Sequence, residues 1–394
     1  MVNDMNRRSI IKLLSGLTVL PVVPHLSLAN SSPNDISNKK VILLELSGAN
    51  DGLNTIVPFK DDRYHELRPS IGLKSRDVIS LDDYFGFNSA LEELMPLWEY
   101  DDMAVVHGLG YPNPNRSHFT SIALWETGGD GNQPRRDGWI THDIEHAYAV
   151  SGIDAHGISL GGGMGIFNSP AGNWLSMKTA GQFAGRSLDS PSTKKNHKSN
   201  AMNLLLDRAA TLNASIAQIA NKVENNPHPV KPVGGGNFNA QVAHAINLIN
   251  SGIEVPVIKI SLSGFDTHEN QPGRHTGLLK QLAKGASTLQ KELSKTDNWN
   301  NTVVISYSEF GRRAAQNQSN GTDHGTAAAH FVFGGNISGG FHGQHPDLGQ
   351  LVGGDLQYTM DYRALYSSVL ENWLNLPDNA FKQYRTNDLG SLFT

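Results

Sequence analysis

The sequence predicts an α/β fold with a central, mostly parallel β-sheet and helices on both faces. Three observations lead there. Short, nearly continuous apolar runs, such as residues 41–46, have the length and composition of strands buried on both sides. Longer stretches carry apolar residues at helical spacing, as in residues 275–293 with Leu278, Leu279, Leu282, Ala286 and Leu289. The two kinds of segment alternate, separated by turns rich in glycine and aspartate and without an internal repeat, which is the pattern of successive β-α units.

Taken in order, the chain opens with Asn6-Arg7-Arg8-Ser9-Ile10-Ile11-Lys12, an apolar stretch over residues 13–23, and Ser27-Leu28-Ala29. This is a twin-arginine signal peptide by pattern, expected to span residues 1–29 and to engage the twin-arginine (Tat) translocase. The product would then be periplasmic or secreted. The apolar stretch is too short to remain as a permanent membrane span. Residues 30–40 form a Ser/Asn/Pro-rich tether, and residues 41–394 are expected to be one domain.

The first strand, residues 41–46, ends in Ser47-Gly48-Ala49-Asn50-Asp51-Gly52. Residues 64–81 look like loop, and residues 88–100 have helical spacing despite Pro96. A buried strand at 103–107 runs into a loop, then into Arg116-Ser117-His118-Phe119 and a helix reaching Glu126. Ser117 therefore lies at or near a helix N-terminus, where free N–H groups favour an anion. The middle is less regular. Gly161 to Gly165 lacks the Lys-Ser/Thr of a phosphate loop and reads as a turn. Residues 187–200 are polar, 203–223 and 240–251 helical, and 225–237 a linker or long loop. Strands at 255–262 and 301–307, a further short strand at 329–334 and a helix at 362–374 complete the chain.

Composition narrows the function. With 38% hydrophobic and 18% charged residues and 40 glycines, the chain is an ordinary globular one with many turns. A net charge of −5 gives no long-range attraction to nucleic acid or to an anionic membrane, so any anion must be gripped locally. The absence of cysteine rules out disulfides, thiolate ligands and thiol nucleophiles. No Gly-x-Ser-x-Gly elbow or kinase motif is present.

What remains is a set of acidic and imidazole groups at strand ends. Asp51 follows the first strand, Asp266 and His268 follow another, Glu309 follows the strand at 301–307, and Asp323 and His324 sit in the next loop. Parallel strands bring such ends to one rim of the sheet. Oxygen and nitrogen donors without sulfur suit zinc, manganese, magnesium or calcium. Asp51 is equally well explained as a turn former, and Ser117 as an N-cap.

These segments resemble the family of exported bacterial proteins labelled DUF1501. The resemblance rests on the leader, residues 46–58 (LSGANDGLNTIVP), Arg116-Ser117-His118-Phe119, Phe265-Asp266-Thr267-His268, Ser308-Glu309-Phe310-Gly311-Arg312 and Gly321-Thr322-Asp323-His324-Gly325. That family has been grouped with the alkaline phosphatase and sulfatase superfamily. The resemblance implies an alkaline-phosphatase-like fold and a metal-dependent hydrolase of phosphate or sulfate esters, acting on a small anionic ester. The metal would be held by a subset of Asp51, Asp266, His268, Glu309, Asp323 and His324. Ser117 would be the nucleophile, with Arg116 and His118 gripping the ester's oxygens. Glu309 and Phe310 stand where the superfamily strand ends in Asp-His; in an alternative register Asp323-His324 is that pair. The alternative function is a periplasmic binding or assembly protein that keeps the fold without turnover.

Overall fold

The apolar run after the tether forms a strand buried along its whole length except at Ser47. The computed structural model describes residues 38–131, 133–149, 152–177 and 200–393. The expected signal peptide, most of the tether and the polar stretch 187–199 lie outside them. Nine strands make the central sheet: β1 (Lys40–Ser47), β2 (Met103–Gly110), β3 (Gly157–Ser159), β4 (Trp174–Ser176), β5 (Val257–Ser263), β6 (Thr302–Tyr307), β7 (Ala328–Gly334), β8 (Gly340–His342) and β9 (Met360–Asp361). Eight helices accompany them among the described residues: α1 (Asp62–Leu67), α2 (Met95–Glu99), α3 (His118–Thr127), α4 (Thr141–Ala147), α5 (Asn200–Glu224), α6 (Asn237–Asn250), α7 (Gln271–Ser294) and α8 (Tyr362–Ser368).

The strand order is β8-β2-β7-β6-β1-β5-β3-β4, with β9 also on β2. β1 lies parallel between β5 and β6. β7 alone runs against its neighbours, β2 and β6. Both faces are covered, which is why β1 reads as a continuous apolar run rather than an alternating one. Ile42, Leu44 and Leu46 pack with Val242 and Ile246 of α6 and Leu279 and Leu282 of α7. Val41 and Leu43 pack on the opposite side with Leu124 and Trp125 of α3 and Tyr362 and Leu365 of α8. Each such buried aliphatic side chain stabilises the fold by about 1.5–3 kcal/mol relative to exposure.

The second core also holds charge. Lys259 Nζ, fully buried, lies 2.6 Å from Glu126 Oε1, 3.1 Å from Glu45 Oε2 and 2.9 Å from the Gly163 carbonyl. The glycine loop covers this group. Gly162 has φ +75°, and a Cβ there would stand 2.3 Å from Glu45 Oε2.

The structure differs from expectation where elements are short. Residues 64–81 contain the end of α1, whose N-cap Asp61 accepts from Arg63 N–H, and a strand at Val78–Ser80. That strand belongs to a second, three-stranded sheet with Gly86–Asn88 and Ile56–Val57. Elements of two to six residues are too short to show a period. Strand β2 continues to Gly110 through Gly108, whose φ of +63° only glycine adopts readily. Pro96 falls in the first turn of α2, where no helical N–H is lost.

Asp51 does not reach the rim as a free carboxylate. It caps the turn Gly52–Asn54, and its Oδ2 accepts from Arg68 Nη1 at 2.6 Å and Gln271 Nε2 at 2.5 Å. The expected ligand role is thus replaced by a buried ion pair. Burial pushes the Asp51 carboxyl up, but the Arg68 guanidinium outweighs it and the net shift is downward. Its contribution to stability is therefore full above the unfolded carboxylate pKa, about 4, and is lost as pH falls through the lower folded value. Arg68→Met should destabilise the protein by about 3–5 kcal/mol in urea unfolding at pH 7, because it strands a buried carboxylate. Asp51→Asn should also destabilise at pH 7, with the gap to wild type narrowing as the pH drops below about 4.

Candidate metal centre

Five strands deliver the site to one rim, four by their exits and one by its lead-in. The exit of β1 supplies Gly48 and Ala49, and the exit of β5 supplies Asp266 and His268. The exit of β6 supplies Ser308, Glu309, Phe310 and Arg312. β2 leads through a loop into α3, whose first residue is His118. Because β7 is antiparallel, its lead-in rather than its exit lies here, and this places Asp323 and His324 beside the others.

His118 and His268 both turn their Nε2 atoms toward His324 Nε2. The separations are 3.0 Å between His118 and His324 and 2.9 Å between His268 and His324. Asp266 Oδ1 completes the group at 3.5, 3.0 and 3.4 Å from His118, His268 and His324. Each outer atom is already engaged. His118 Nδ1 meets Glu309 Oε1 at 2.8 Å, His268 Nδ1 meets Asp323 Oδ1 at 3.1 Å, and His324 Nδ1 meets the Arg116 carbonyl at 2.8 Å. All three partners are acceptors, so each Nδ1 carries the proton and each Nε2 presents a lone pair.

Four acceptors so placed repel one another unless positive charge sits among them, either a metal ion or additional protons. Donors held about 2.0–2.1 Å from one zinc ion stand roughly 3.3 Å apart, close to the spacing of His118, Asp266 and His324, whose donor atoms all lie within 4.8 Å of one another, while His268 Nε2 flanks the group beside His324 and Asp266. Imidazole nitrogens braced by carboxylates or carbonyls are the usual outer arrangement of a metal centre. The donor set fits a divalent transition ion.

Electrostatics agree with that arrangement. Burial acts to raise the Asp266 carboxyl, but the hydrogen bond from Arg312 and the neighbouring charges bring it to about 2, so it is ionised at neutral pH. The hydrogen bond with Glu309 raises the pKa of His118, whereas burial lowers that of His324. Asp266 is 49% exposed and His268 42% in their side chains, so the cluster faces solvent on that side. Phe310 is buried and packs its ring 4.9 Å from His118 and 4.8 Å from His324, which dries the other side.

Glu309 and Arg312 hold the site together. Glu309 accepts from the Gly48 and Ala49 N–H groups at 2.9 and 3.1 Å and from Ser308 Oγ at 2.9 Å. Arg312 donates to the Gly48, Ala49, Phe265 and Thr322 carbonyls and, at 2.7 Å, to Asp266 Oδ1. The turn has φ +109° at Gly48 and +67° at Ala49. A Cβ on Gly48 would stand 2.5 Å from the Asp266 N atom.

Several expected roles change. Glu309 is buried and spends its oxygens on His118, Ser308 and two backbone N–H groups, so it orients a donor rather than being one. Asp323 does the same for His268, itself held by Asn317 Nδ2 at 3.1 Å. His118, expected to grip the ester, is a member of the donor group. The Arg116 side chain ion-pairs with Asp355, and its backbone carbonyl fixes His324. Ser117 occupies the N-cap position of α3 without a side-chain capping bond and is exposed. Asp266, His268 and His324 lie together on the rim. Asn317 and Asp355 went unnoticed in the sequence, since a lone Asn or Asp in a loop carries no signal beyond its turn propensity.

Residues 104–385 match the family described as "Protein of unknown function (DUF1501)", and the chain belongs to that family. Among solved structures it is similar to the lipoteichoic acid synthase LtaP from Listeria monocytogenes, at 9% identity and a TM-score of 0.41, covering 92% of this chain and 79% of that one. It is also similar to the C-terminal periplasmic domain of EptC from Escherichia coli, at 8% identity and a TM-score of 0.38, covering 89% and 86%. Alkaline phosphatase from the Antarctic bacterium TAB5 matches at 10% identity and a TM-score of 0.36, covering 77% of this chain and 94% of that one. Likenesses this distant carry nothing about the site. Comparison with curated protein sequences finds no match.

The purified protein should hold about one divalent ion per chain by elemental analysis, as a single cluster built on His118, Asp266 and His324 would bind. His324→Ala and Asp266→Asn should lose it. Glu309→Gln should weaken metal affinity by about 10–100-fold, the usual cost of removing an outer partner. Asp51→Asn should retain the ion.

Proposed function

We propose that this protein is an exported, divalent-metal-dependent hydrolase of phosphate or sulfate esters. The observation that carries the reading is the convergence of His118, His324 and Asp266, with His268 beside them and each imidazole's outer nitrogen braced. His118, His324 and Asp266 would hold the ion, with His268 flanking it, and zinc is the best match to a histidine-rich set. A bound ion would supply Lewis acidity toward an ester oxygen and lower the pKa of a nearby hydroxyl.

The chain's own residues supply the rest. Ser117, directly before His118 and with its hydroxyl not used for capping, is the nucleophile in this reading. Asp266 keeps one side of the cluster negative and exposed to solvent. Arg116 and Arg313, both partly exposed and both paired to Asp355, present cationic groups for the oxygens of the ester. The amino-terminal twin-arginine pattern supports export. Among the described residues no helix is long and apolar enough to cross a membrane.

A second reading has a specific observation behind it. Asp51 and Glu309 are committed to Arg68 and to His118, and Phe310 fills the place of a further imidazole. Among the described residues, those that would hold a second ion are thus already engaged elsewhere. A one-ion centre of this kind also suits a binding protein without turnover.

Metal-loaded protein assayed with aryl phosphate and aryl sulfate separates the two readings. Hydrolysis of at least one is expected, with Ser117→Ala reducing kcat by about a hundredfold or more and leaving metal content intact. Metal-loaded protein inert toward both esters would favour the binding reading.

A further inference from the structure

The proposed centre does not stand alone on the rim. Beside it lies a pocket of about 250 Å³ lined by Tyr111, Pro114, Phe310, Val352, Leu356 and Tyr358, with Arg116 and Asp355 also in its wall. Phe310 is shared: its ring packs on His118 and His324 and also lines this pocket. Arg116 is shared as well, since its carbonyl fixes His324 while its side chain meets Asp355. The pocket and the donor cluster are therefore one side chain apart.

The lining is chiefly aromatic and aliphatic. Val352 is 63% exposed and Tyr358 42%, so large apolar groups are left in water there. Exposed apolar side chains gathered around a concave site mark a ligand surface rather than chance exposure. Charge borders this apolar floor through Arg116 and Asp355. Asp355 is buried, and it holds Arg116 and Arg313 in place at the edge toward the centre.

We infer that the pocket receives the organic half of the ester, and that this half is an aromatic or comparably broad apolar group. The anionic half lies at the centre between Arg116 and the donor cluster. A small polar alcohol such as glycerol would leave the apolar floor of the pocket unfilled. Phe310 has a second role in this picture, as the surface on which the organic group rests. The inference depends on the metal centre proposed above.

The test uses stable mimics and needs no turnover. Full-length processed protein, with metal content measured on the same sample, is titrated with phenylphosphonate and with methylphosphonate by calorimetry. Phenylphosphonate should bind about tenfold tighter or more, the gain expected from burying a phenyl face. Val352→Asp, an exposed position, should shrink that ratio severalfold, and Tyr358→Ala should do the same without adding charge. Equal affinities for the two phosphonates on metal-loaded protein would overturn the inference and leave the centre standing. Protein that holds no metal would overturn both, and the elemental analysis tells the two failures apart.

Discussion

The turn at Gly48 and Ala49 is gripped from both sides by one short segment of β6's exit. Glu309 takes its two N–H groups and Arg312 takes its two carbonyls. These contacts join residues about 260 positions apart in sequence, in the interior, where an unpaired backbone group or charge is costly. The same two side chains then reach outward, Glu309 to His118 and Arg312 to Asp266. The backbone clamp and the orientation of the donors are consequently one network. A positive φ at Ala49, a conformation a non-glycine residue adopts at some cost, is tolerated because the clamp leaves no other.

How much of this was legible in the sequence depended on the kind of signal. β1 and α7 were visible because each is long enough to show its burial, β1 as an unbroken apolar run and α7 as a stripe. The direction of β7 was not visible, since a seven-residue apolar strand reads the same either way. That direction decides how His324 arrives at the rim, by a lead-in where the other segments arrive by exits. Short elements such as α1 were missed because their capping residue is their main mark.

At the site, residue types were legible and roles were not. Asp266, Glu309 and Asp323 are chemically alike, and the sequence alone offered all three as ligands. Their fates differ through neighbours far away in the chain. Glu309 is claimed by the N–H groups of Gly48 and Ala49, Asp323 by Asn317, and Asp51 by Arg68. His118 was judged by its position beside Ser117, as a residue facing substrate. Only the packing of α3 against the rim shows its Nε2 among the other imidazoles.

The three braced imidazoles also settle how the centre would respond to an ion. Their orientations are set by Glu309, Asp323 and the Arg116 carbonyl, none of which a bound ion needs to displace. The carboxylates of Asp266, Glu309 and Asp323 outnumber the Arg312 guanidinium that meets them, so the surroundings of the imidazoles favour a cation. Loading would alter the charge of the rim far more than its shape, so a partner that can tell the empty protein from the filled one would have to do so by its field.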